Sequence, residues 1–392
     1  MKFITLFRTI IAALFVLAVS VSVFAQREAA IAEIQGSKNV SPLEGQSVRA
    51  TGIVTARSRT GFFIQTPDAK VDADPNTSEG ILVFTRNAPP ANAEIGNLVT
   101  VTGKVEEYRP RADQDSLSVT EISLQSGGDS VVVVSKSNPL PKPIVLTIDD
   151  FKSRAIDELE RFEGMRVAVN EMTVVGPTGG RVDIKVASAN GNGIFYGVVK
   201  RVPRPFRTAG IDLGEYLSFD QKEKDRLKIA APKLQIFDTN PERLRIESGA
   251  LLGARELNVP SNVDIRGVTG VMHYAFRTNT IYIDPNAKIE ASSSRKSTPL
   301  PPPNARQFNV AGMNLENFFD DVDDPDIRED VLTPEAFERR LKKISMAIRN
   351  QMQTPDVIGI VEAENLAGLK RLAERINKDA VAAGKPDPKY EA

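Results

Sequence analysis

The chain has 392 residues, with 50 lysine and arginine side chains against 51 aspartate and glutamate side chains, and a formal net charge of −1. This balance excludes a global electrostatic attraction to nucleic acid or to a membrane surface. The chain contains no cysteine, which excludes disulfides and cysteine metal sites, and one histidine. Stability must therefore come from packed cores, and the length predicts two or three domains.

Residues 1–25 have the pattern of a secretory signal peptide. Lys2 and Arg8 precede an apolar run from Ile10 to Val23, and Ala25 ends a small-residue cleavage pattern. A membrane anchor is the alternative, but the run is shorter than the roughly 20 residues that a spanning helix needs. We therefore expect a secreted protein, extracellular or periplasmic, with no membrane span after cleavage.

Residues 31–135 are predicted to form an all-β module. Apolar and polar residues alternate or form short apolar runs between turn residues, which is typical of strands. The predicted strands are 48–54, 61–65, 80–84, 98–105 and 117–124. Glycines lie inside two of the longest strands, at Gly52 and Gly103, and permit the sharp bends of a small barrel.

Residues 145–290 are predicted to form a second β-rich module, which opens with an amphipathic helix over 148–162. Two of its segments repeat the first module in the same order. Residues 164–169 echo 45–50, and residues 268–274 echo 101–108. These echoes predict a repeated barrel, interrupted by an unassigned stretch over 203–232.

A serine- and proline-rich linker is predicted over 291–304, followed by a β/α segment over 305–392. That segment has the order strand, helix, strand, helix, which normally gives two parallel strands joined by a right-handed crossover. Ligands of such folds collect at the carboxyl ends of the strands. Asn314 and Glu362 lie at these two ends.

Four N-terminal segments and two C-terminal segments carry a family resemblance. Residues 311–320 and 356–365 resemble the first and second motifs of the endonuclease/exonuclease/phosphatase superfamily, which has the deoxyribonuclease-like fold. The OB-fold module that precedes this domain in secreted bacterial nucleases is similar to residues 31–36, 41–45, 61–65 and 77–81. The implied fold is multidomain: two all-β OB-like barrels, then the start of an α/β deoxyribonuclease-like sandwich.

The resemblance implies a catalytic role for Asn314 and a metal-binding role for Glu362, with Mg²⁺ or Mn²⁺ as the cofactor. The implied function is hydrolysis of extracellular nucleic acid, DNA or RNA, while the OB modules bind the strand. The family also needs a His paired with Asp, but the one histidine, His273, lies in the second module. We therefore expect a C-terminally truncated family member that hydrolyses nothing by itself.

Several alternatives stay open. The protein could be a non-catalytic nucleic-acid-binding protein, or a phosphatase or phospholipase of the same superfamily. Glu362 could instead cap the helix that begins near Asn365, where the helix dipole favours a carboxylate. Asn314 could be a turn residue.

Two groups of residues are candidates for binding the nucleic-acid strand, and no protein partner is predicted. Phe62 and Phe63 point to opposite faces of one strand, so at most one of them is exposed for stacking on the ligand face of an OB barrel. The basic cluster Arg201, Arg204 and Arg207 suits single-stranded nucleic acid. A solvated loop is an equally good interpretation of that cluster.

Overall fold

The computed structural model describes residues 27–392 except 126, 154, 231–232, 293–297, 305 and 327. The predicted signal peptide and part of the predicted linker lie outside these residues. The chain divides into two compact units, Met1–Pro177 with Gly193–Ser292, and Thr178–Asn192 with Ser293–Ala392. Within the described residues, no helix combines the length and the apolar character needed to cross a membrane.

The first unit begins with a closed barrel of five strands. Strand β1 (Arg27–Glu28) and helix α1 (Ile31–Gln35) precede it. Its strands are β2 (Ser47–Arg57), β3 (Gly61–Gln65), β4 (Gly80–Phe84), β5 (Leu98–Tyr108) and β6 (Val119–Ser123). They pair in the order β2-β3-β4-β6-β5, and β5 pairs with β2 to close the barrel. Because β4 and β6 are parallel and the other neighbours antiparallel, this is the OB-like order.

The core of this first barrel follows from strand alternation. Val48, Ala50 and Val54 of β2 point inward and are buried, as are Val99 and Val101 of β5. Gly103 permits the bend of β5, since a Cβ at this position would lie 2.7 Å from the Ile122 side chain. Outside the barrel, Asp68–Lys70 forms a 3₁₀ turn and β7 (Ser130–Ser135) pairs with β5.

A second barrel in the same unit repeats this topology. Its strands are β9 (Arg166–Gly176), β12 (Ile194–Val199), β15 (Leu244–Glu247), β16 (Asp264–Ala275) and β17 (Thr278–Ile283). They pair in the order β16-β17-β15-β12-β9, β16 closes onto β9, and β15 is parallel to β17. The two closed barrels confirm the repeat that the sequence echoes predicted. Short strands β8 (Ile144–Val145) and β18 (Glu290–Ala291) flank this barrel.

The helix predicted over 148–162 does not form as one piece. Two 3₁₀ turns, Ile148–Phe151 and Glu160–Phe162, flank an irregular stretch. Leu159 and Phe162 still reach the barrel core, because their spacing of three residues matches the 3₁₀ period as well as the α-helical one. Apolar spacing alone therefore did not distinguish the two conformations.

Long insertions leave the second barrel on either side of β12. The insertion after β12 includes the stretch 203–232 that the sequence left unassigned. It contains β13 (Ile211–Asp212), α2 (Leu213–Ser218), α3 (Gln221–Ala230) and β14 (Ile236–Phe237). The connection from β9 to β12 is a hairpin, β10 (Gly180–Asp183) and β11 (Ser188–Gly191). This hairpin belongs to the other unit, so the module predicted over 145–290 is not continuous in space.

The second unit contains a strand–helix–strand–helix sequence. Its elements are β19 (Val310–Phe318), α4 (Pro334–Met346) with a π-helical extension Ala347–Gln351, β20 (Val357–Ala363) and α5 (Leu366–Ala382). Strands β19 and β20 are parallel, and Thr333 caps α4 by accepting a bond from the Ala336 N–H. Phe318, Phe337 and Leu341 anchor the core. The deoxyribonuclease-like sandwich stays a prediction, since the described residues hold two parallel strands and the hairpin.

Candidate nucleic-acid interface and strand-end site

The β3–β4 face of the first barrel, where OB barrels bind ligands, is covered by the second barrel. Phe63 of β3 is 1% exposed and packs with Ala56, Leu251 and Val271 between the barrels. Its ring also lies edge-on to His273, with ring centroids 6.0 Å apart. Phe62 is fully buried in the barrel core. The prediction of an exposed stacking phenylalanine is therefore wrong, because one face of β3 meets the barrel core and the other meets the second barrel.

Other contacts hold the barrels together around this patch. The Gln65 side-chain oxygen accepts a bond from the Arg166 N–H at 2.8 Å, and the Ser78 hydroxyl donates to the Glu163 carbonyl. Arg277 grips both carboxylate oxygens of Asp113 through Nε, at 2.8 Å each. Polar and apolar contacts together bury this face of the first barrel against the second barrel.

The equivalent face of the second barrel, formed by β12 and β15, carries alternating aromatic and arginine side chains. Arg243 lies over the Tyr196 ring at 5.0 Å, and Arg245 lies over the Phe276 ring at 4.8 Å. Tyr196 and Arg245 are direct cross-strand neighbours. We call these four side chains the aromatic–arginine row. Arg245 is 3% exposed and bonded to Glu247 at 2.6 Å, so the half-buried Arg243 is the cation of the row that a ligand can reach.

Phe276 is presented by a strained turn between β16 and β17. It is 77% exposed, and both Phe276 and Arg277 adopt left-handed φ angles, 53° and 55°. Such turns favour Asn-Gly, and a bulky residue in this region is an outlier that often marks function. The ion pairs of Arg277 with Asp113 and Asp115 hold the turn. Phe276 and Arg277 occupy a two-residue turn where Asn-Gly would be usual. This unusual pair between two strands is the sequence signal that could have pointed to the turn.

The predicted basic cluster lies on the exposed segment that follows β12. Arg201, Arg204 and Arg207 are all exposed. Arg207 stacks on the Phe237 ring at 3.9 Å and donates to the Gly210 carbonyl, so its guanidinium is already engaged. The neighbouring Lys200 is paired with Asp264 and Glu171. Arg201 and Arg204 remain the cations of this segment that suit a ligand.

Asn314 and Glu362 meet at the carboxyl ends of β19 and β20. The Asn314 amide donates to Glu362 Oε1 at 2.7 Å, and the Asn317 N–H donates to Oε2 at 3.0 Å. These two bonds, the amide first, lower the pKa of Glu362, so the exposed carboxylate is ionised at neutral pH. The two residues are thus brought together as the parallel-strand arrangement predicted, although their roles stay predictions.

Backbone strain accompanies this strand-end site. Glu316, Asn317 and Glu362 all have left-handed φ angles, 50°, 56° and 61°. The Asn314 side chain also accepts the Glu316 N–H at 2.7 Å, so the turn-residue interpretation of Asn314 holds beside its contact with Glu362. Strained residues persist only where their surroundings enforce them, and they cluster at functional sites. The strain at these strand ends therefore favours a functional role for them.

The alternative role of Glu362 as a helix cap is wrong. Helix α5 is capped by Asn365, whose side chain accepts the Gly368 N–H at 2.8 Å. Glu364 faces a different environment, where burial and a hydrogen bond with Glu329 raise its pKa to about 7. Since Glu364 is then partly protonated near neutral pH, Glu362 is the better cation ligand of the two.

The fit to a metal ion is modest. Over the described part of the chain, no group of three or more His, Cys, Asp or Glu side chains is placed to hold one. Mg²⁺, however, takes only one or two protein carboxylates and completes its shell with water and phosphate oxygens. The exposed and ionised Glu362 meets that minimum.

Comparisons with known proteins find no matching family model and no matching curated protein. One similar solved structure is fission yeast Pot1 with single-stranded DNA, 13% identical over 67% of this chain and 88% of that chain, with a TM-score of 0.23. Another is the wild-type single-stranded DNA binding protein of Thermus aquaticus, 11% identical over 65% and 97%, with a TM-score of 0.15. These scores are too low to support function, and the OB-like assignment rests on the strand order.

Proposed function

We propose that the protein binds single-stranded nucleic acid through the outer face of its second barrel. The aromatic–arginine row on β12, β15 and the β16–β17 turn carries this proposal. OB barrels bind oligonucleotides at the corresponding strands and loops. Aromatic rings there stack on bases of any sequence, at about 1–3 kcal/mol for each base.

The net charge of the chain does not favour binding to nucleic acid, so the attraction must come from local positive charges. Arg243, which lies over the Tyr196 ring, and the exposed Arg201 and Arg204 on the segment after β12 supply cations for phosphate groups. Phosphate contacts of this kind provide affinity without sequence specificity. We therefore expect sequence-tolerant binding that weakens as the salt concentration rises.

A titration with fluorescein-labelled oligothymidylate tests the proposal by fluorescence anisotropy. Phe276→Ala removes one stacking ring and is expected to raise Kd about 5- to 150-fold, the equivalent of 1–3 kcal/mol. Phe308→Ala is the matched control, because Phe308 is similarly exposed, at 73%, but lies in the second unit. Equal Kd values for the wild type, Phe276→Ala and Tyr196→Ala would contradict the proposal. Competition by maltohexaose but not by oligouridylate would indicate a sugar site instead.

A second candidate function is favoured by the 2.7 Å contact between Asn314 and Glu362. In this proposal the second unit is the metal-binding part of a phosphodiesterase of the endonuclease/exonuclease/phosphatase superfamily, acting on extracellular nucleic acid. A bound Mg²⁺ or Mn²⁺ would polarise a phosphoryl oxygen and stabilise the leaving alkoxide. Glu362 would hold the ion, and Asn314 and the Asn317 N–H would fix the orientation of that carboxylate.

A measurement of Mn²⁺ binding tests the metal site of this candidate without requiring catalytic activity. Because His273, the one histidine of the chain, packs against Phe63 and Tyr282 in the first unit, we expect ion binding without turnover. Electron paramagnetic resonance of free Mn²⁺ is expected to show uptake by the wild type and less by Glu362→Gln. Glu391→Gln, which changes an exposed carboxylate elsewhere in the same unit, serves as the control. Equal uptake by both variants would remove Glu362 as the ligand.

A further inference from the structure

A groove of about 560 Å³ lies within the second unit, between the β10–β11 hairpin and helix α4. Its apolar wall is formed by Ile184 and Ala187 of the hairpin with Leu332 and Ile344. The volume falls in the range of small-ligand sites, roughly 300–1,000 Å³. The groove is therefore large enough for a nucleotide-sized group against an apolar surface.

Basic residues of α4 also line the groove. Of the described residues that line it, Arg339, Arg340 and Lys343 of α4 are basic and Glu316 is acidic. Arg340 donates to the Leu315 carbonyl at 2.7 Å and to the Glu316 carbonyl, so it is held at the end of β19. Arg339 donates one N–H to the Ala187 carbonyl at 3.1 Å and keeps its other donors, while Lys343 is exposed.

The hairpin itself is built into this unit. The Thr333 N–H donates to the Lys185 carbonyl at 2.9 Å, and Lys185 pairs with Asp330 at 2.9 Å. In chain order the hairpin connects the first and second strands of the second barrel, and this connection is one of the two loops through which OB barrels contact ligands. The groove thus lies between the β10–β11 hairpin and the strand-end site, since Asn317, whose N–H donates to Glu362, also lines it.

We propose that this groove binds one phosphodiester segment of single-stranded nucleic acid. The sugar and base lie against the apolar wall, and Arg339 and Lys343 bind the phosphate oxygens, which arginine can meet with paired N–H donors. The ligand class rests on the proposed function of the second barrel, but the groove shares no residue with the aromatic–arginine row.

A matched pair of lysines tests the groove. Lys343 lines it, whereas the adjacent Lys342 is exposed on α4 without lining it. The affinity of labelled oligothymidylate is measured at several salt concentrations for the full chain and for Lys343→Ala, Arg339→Ala and Lys342→Ala. The first two variants are expected to reduce the slope of log K against log salt by about 0.7 to 1 each, and Lys342→Ala to leave it unchanged.

Cross-linking identifies the position of the strand. Oligothymidylate that carries 4-thiothymidine is irradiated with the full chain, and mass spectrometry is expected to find adducts in peptides from 182–189, 315–317 or 339–344. Adducts that persist in Phe276→Ala would support the groove even if the barrel proposal failed. Absence of adducts in these peptides, or equal slopes for the two lysine variants, would overturn the groove. Inhibition by inorganic phosphate as strong as that by unlabelled oligothymidylate would reduce it to a simple anion site and overturn the strand assignment.

Discussion

The two barrels have the same strand order but differ in how far the outer face of their second and third strands is covered. In the first barrel, the face of the second and third strands is covered, with Phe63 1% exposed. In the second barrel, the equivalent face presents Tyr196 and Arg243, and the adjacent turn presents Phe276 with 77% of its surface exposed. A shared topology therefore does not imply a shared function, because the neighbours of a face decide whether it can meet a ligand.

This comparison assigns a division of labour within the first unit. The first barrel uses its ligand face to hold the second barrel, and Arg277 in the β16–β17 turn forms ion pairs with Asp113 and Asp115 of the first barrel. The same turn displays Phe276. The first barrel thus helps to order the turn that displays Phe276. If the proposed binding is right, one strand per chain is the expected stoichiometry.

The largest expected effect comes from removing the ring at the centre of the barrel interface. Phe63→Ala is expected to lower the free energy of unfolding by about 3–5 kcal/mol, the usual cost of truncating a fully buried phenylalanine. Chemical denaturation measures this loss. Phe276→Ala is the comparison, since an exposed aromatic should change stability by no more than about 0.5 kcal/mol. Similar losses for both variants would contradict the asymmetry between the two faces.

A steric substitution tests the same interface through its backbone. A Cβ on Gly80 would lie 2.2 Å from the Gly164 carbonyl carbon, so Gly80→Ala must push the barrels apart. We expect a loss of about 1–3 kcal/mol, as in overpacked cores. Gly128→Ala, where a Cβ would meet nothing within 4 Å, provides the control. A neutral Gly80→Ala in thermal unfolding would show that the contact is not tight.

Buried carboxyl groups near the interface predict a dependence on pH. Burial and the adjacent Glu160 raise the pKa of Glu163, and burial raises the pKa of Glu160 to about 7 and of Glu121 to about 8. Above pH 4.5 these three carboxyl groups bind more protons in the folded state than in the unfolded state. Burial lowers the pKa of His273 to about 4, which acts in the opposite direction but involves one proton, so stability should fall as the pH rises from about 5 to 8. Glu163→Gln should make this fall smaller, because it removes a carboxyl group whose pKa burial raises.

Unfolding free energies at pH 5 and pH 8 check this dependence. Glu158→Gln in the same segment is the control, because Glu158 is only partly buried. A wild-type stability that rises between these pH values would contradict the direction of the predicted change.

The smallest effect is expected from the ion pair between the barrels. The hydrogen bond from Arg277 lowers the pKa of Asp113 in the folded state. The ion pair therefore stabilises the fold fully above the unfolded-state pKa near 3.8, and this stabilisation is lost as the pH falls through the lower folded-state pKa. Because both side chains are partly exposed, Asp113→Asn should cost only about 1 kcal/mol at neutral pH. Asp149→Asn, which removes an exposed pair with Lys152, should cost less. Equal costs measured by denaturation would indicate that the Arg277 pair is an ordinary surface pair.

Sequence patterns predicted the strands and the meeting of Asn314 with Glu362 because both depend on local rules. Alternation along a strand fixes which side chains face inward. A parallel strand–helix–strand unit brings two carboxyl ends to one edge. Strands β19 and β20 pair in this parallel way, which places Asn314 and Glu362 within 2.7 Å of each other.

Other features were beyond local rules. Phe62 and Phe63 alternate as expected, yet whether the outer ring met water depended on Leu251 and Val271, which lie 188 and 208 residues further along the chain. The arginine pairs with Tyr196 and Phe276 join strands β12 and β15 and the β16–β17 turn. No spacing along the chain marks such pairs.

By itself, the sequence determined the two barrels, the β/α order of the last 80 or so residues and the residues at the two strand ends, because alternation, turn chemistry and handed crossovers act over short distances. Only the tertiary structure decided which barrel face is free, that the β10–β11 hairpin belongs to the second unit, and that α4 faces it with a cationic groove. These depend on which surfaces bury each other, and burial is a property of distant segments that meet only after folding.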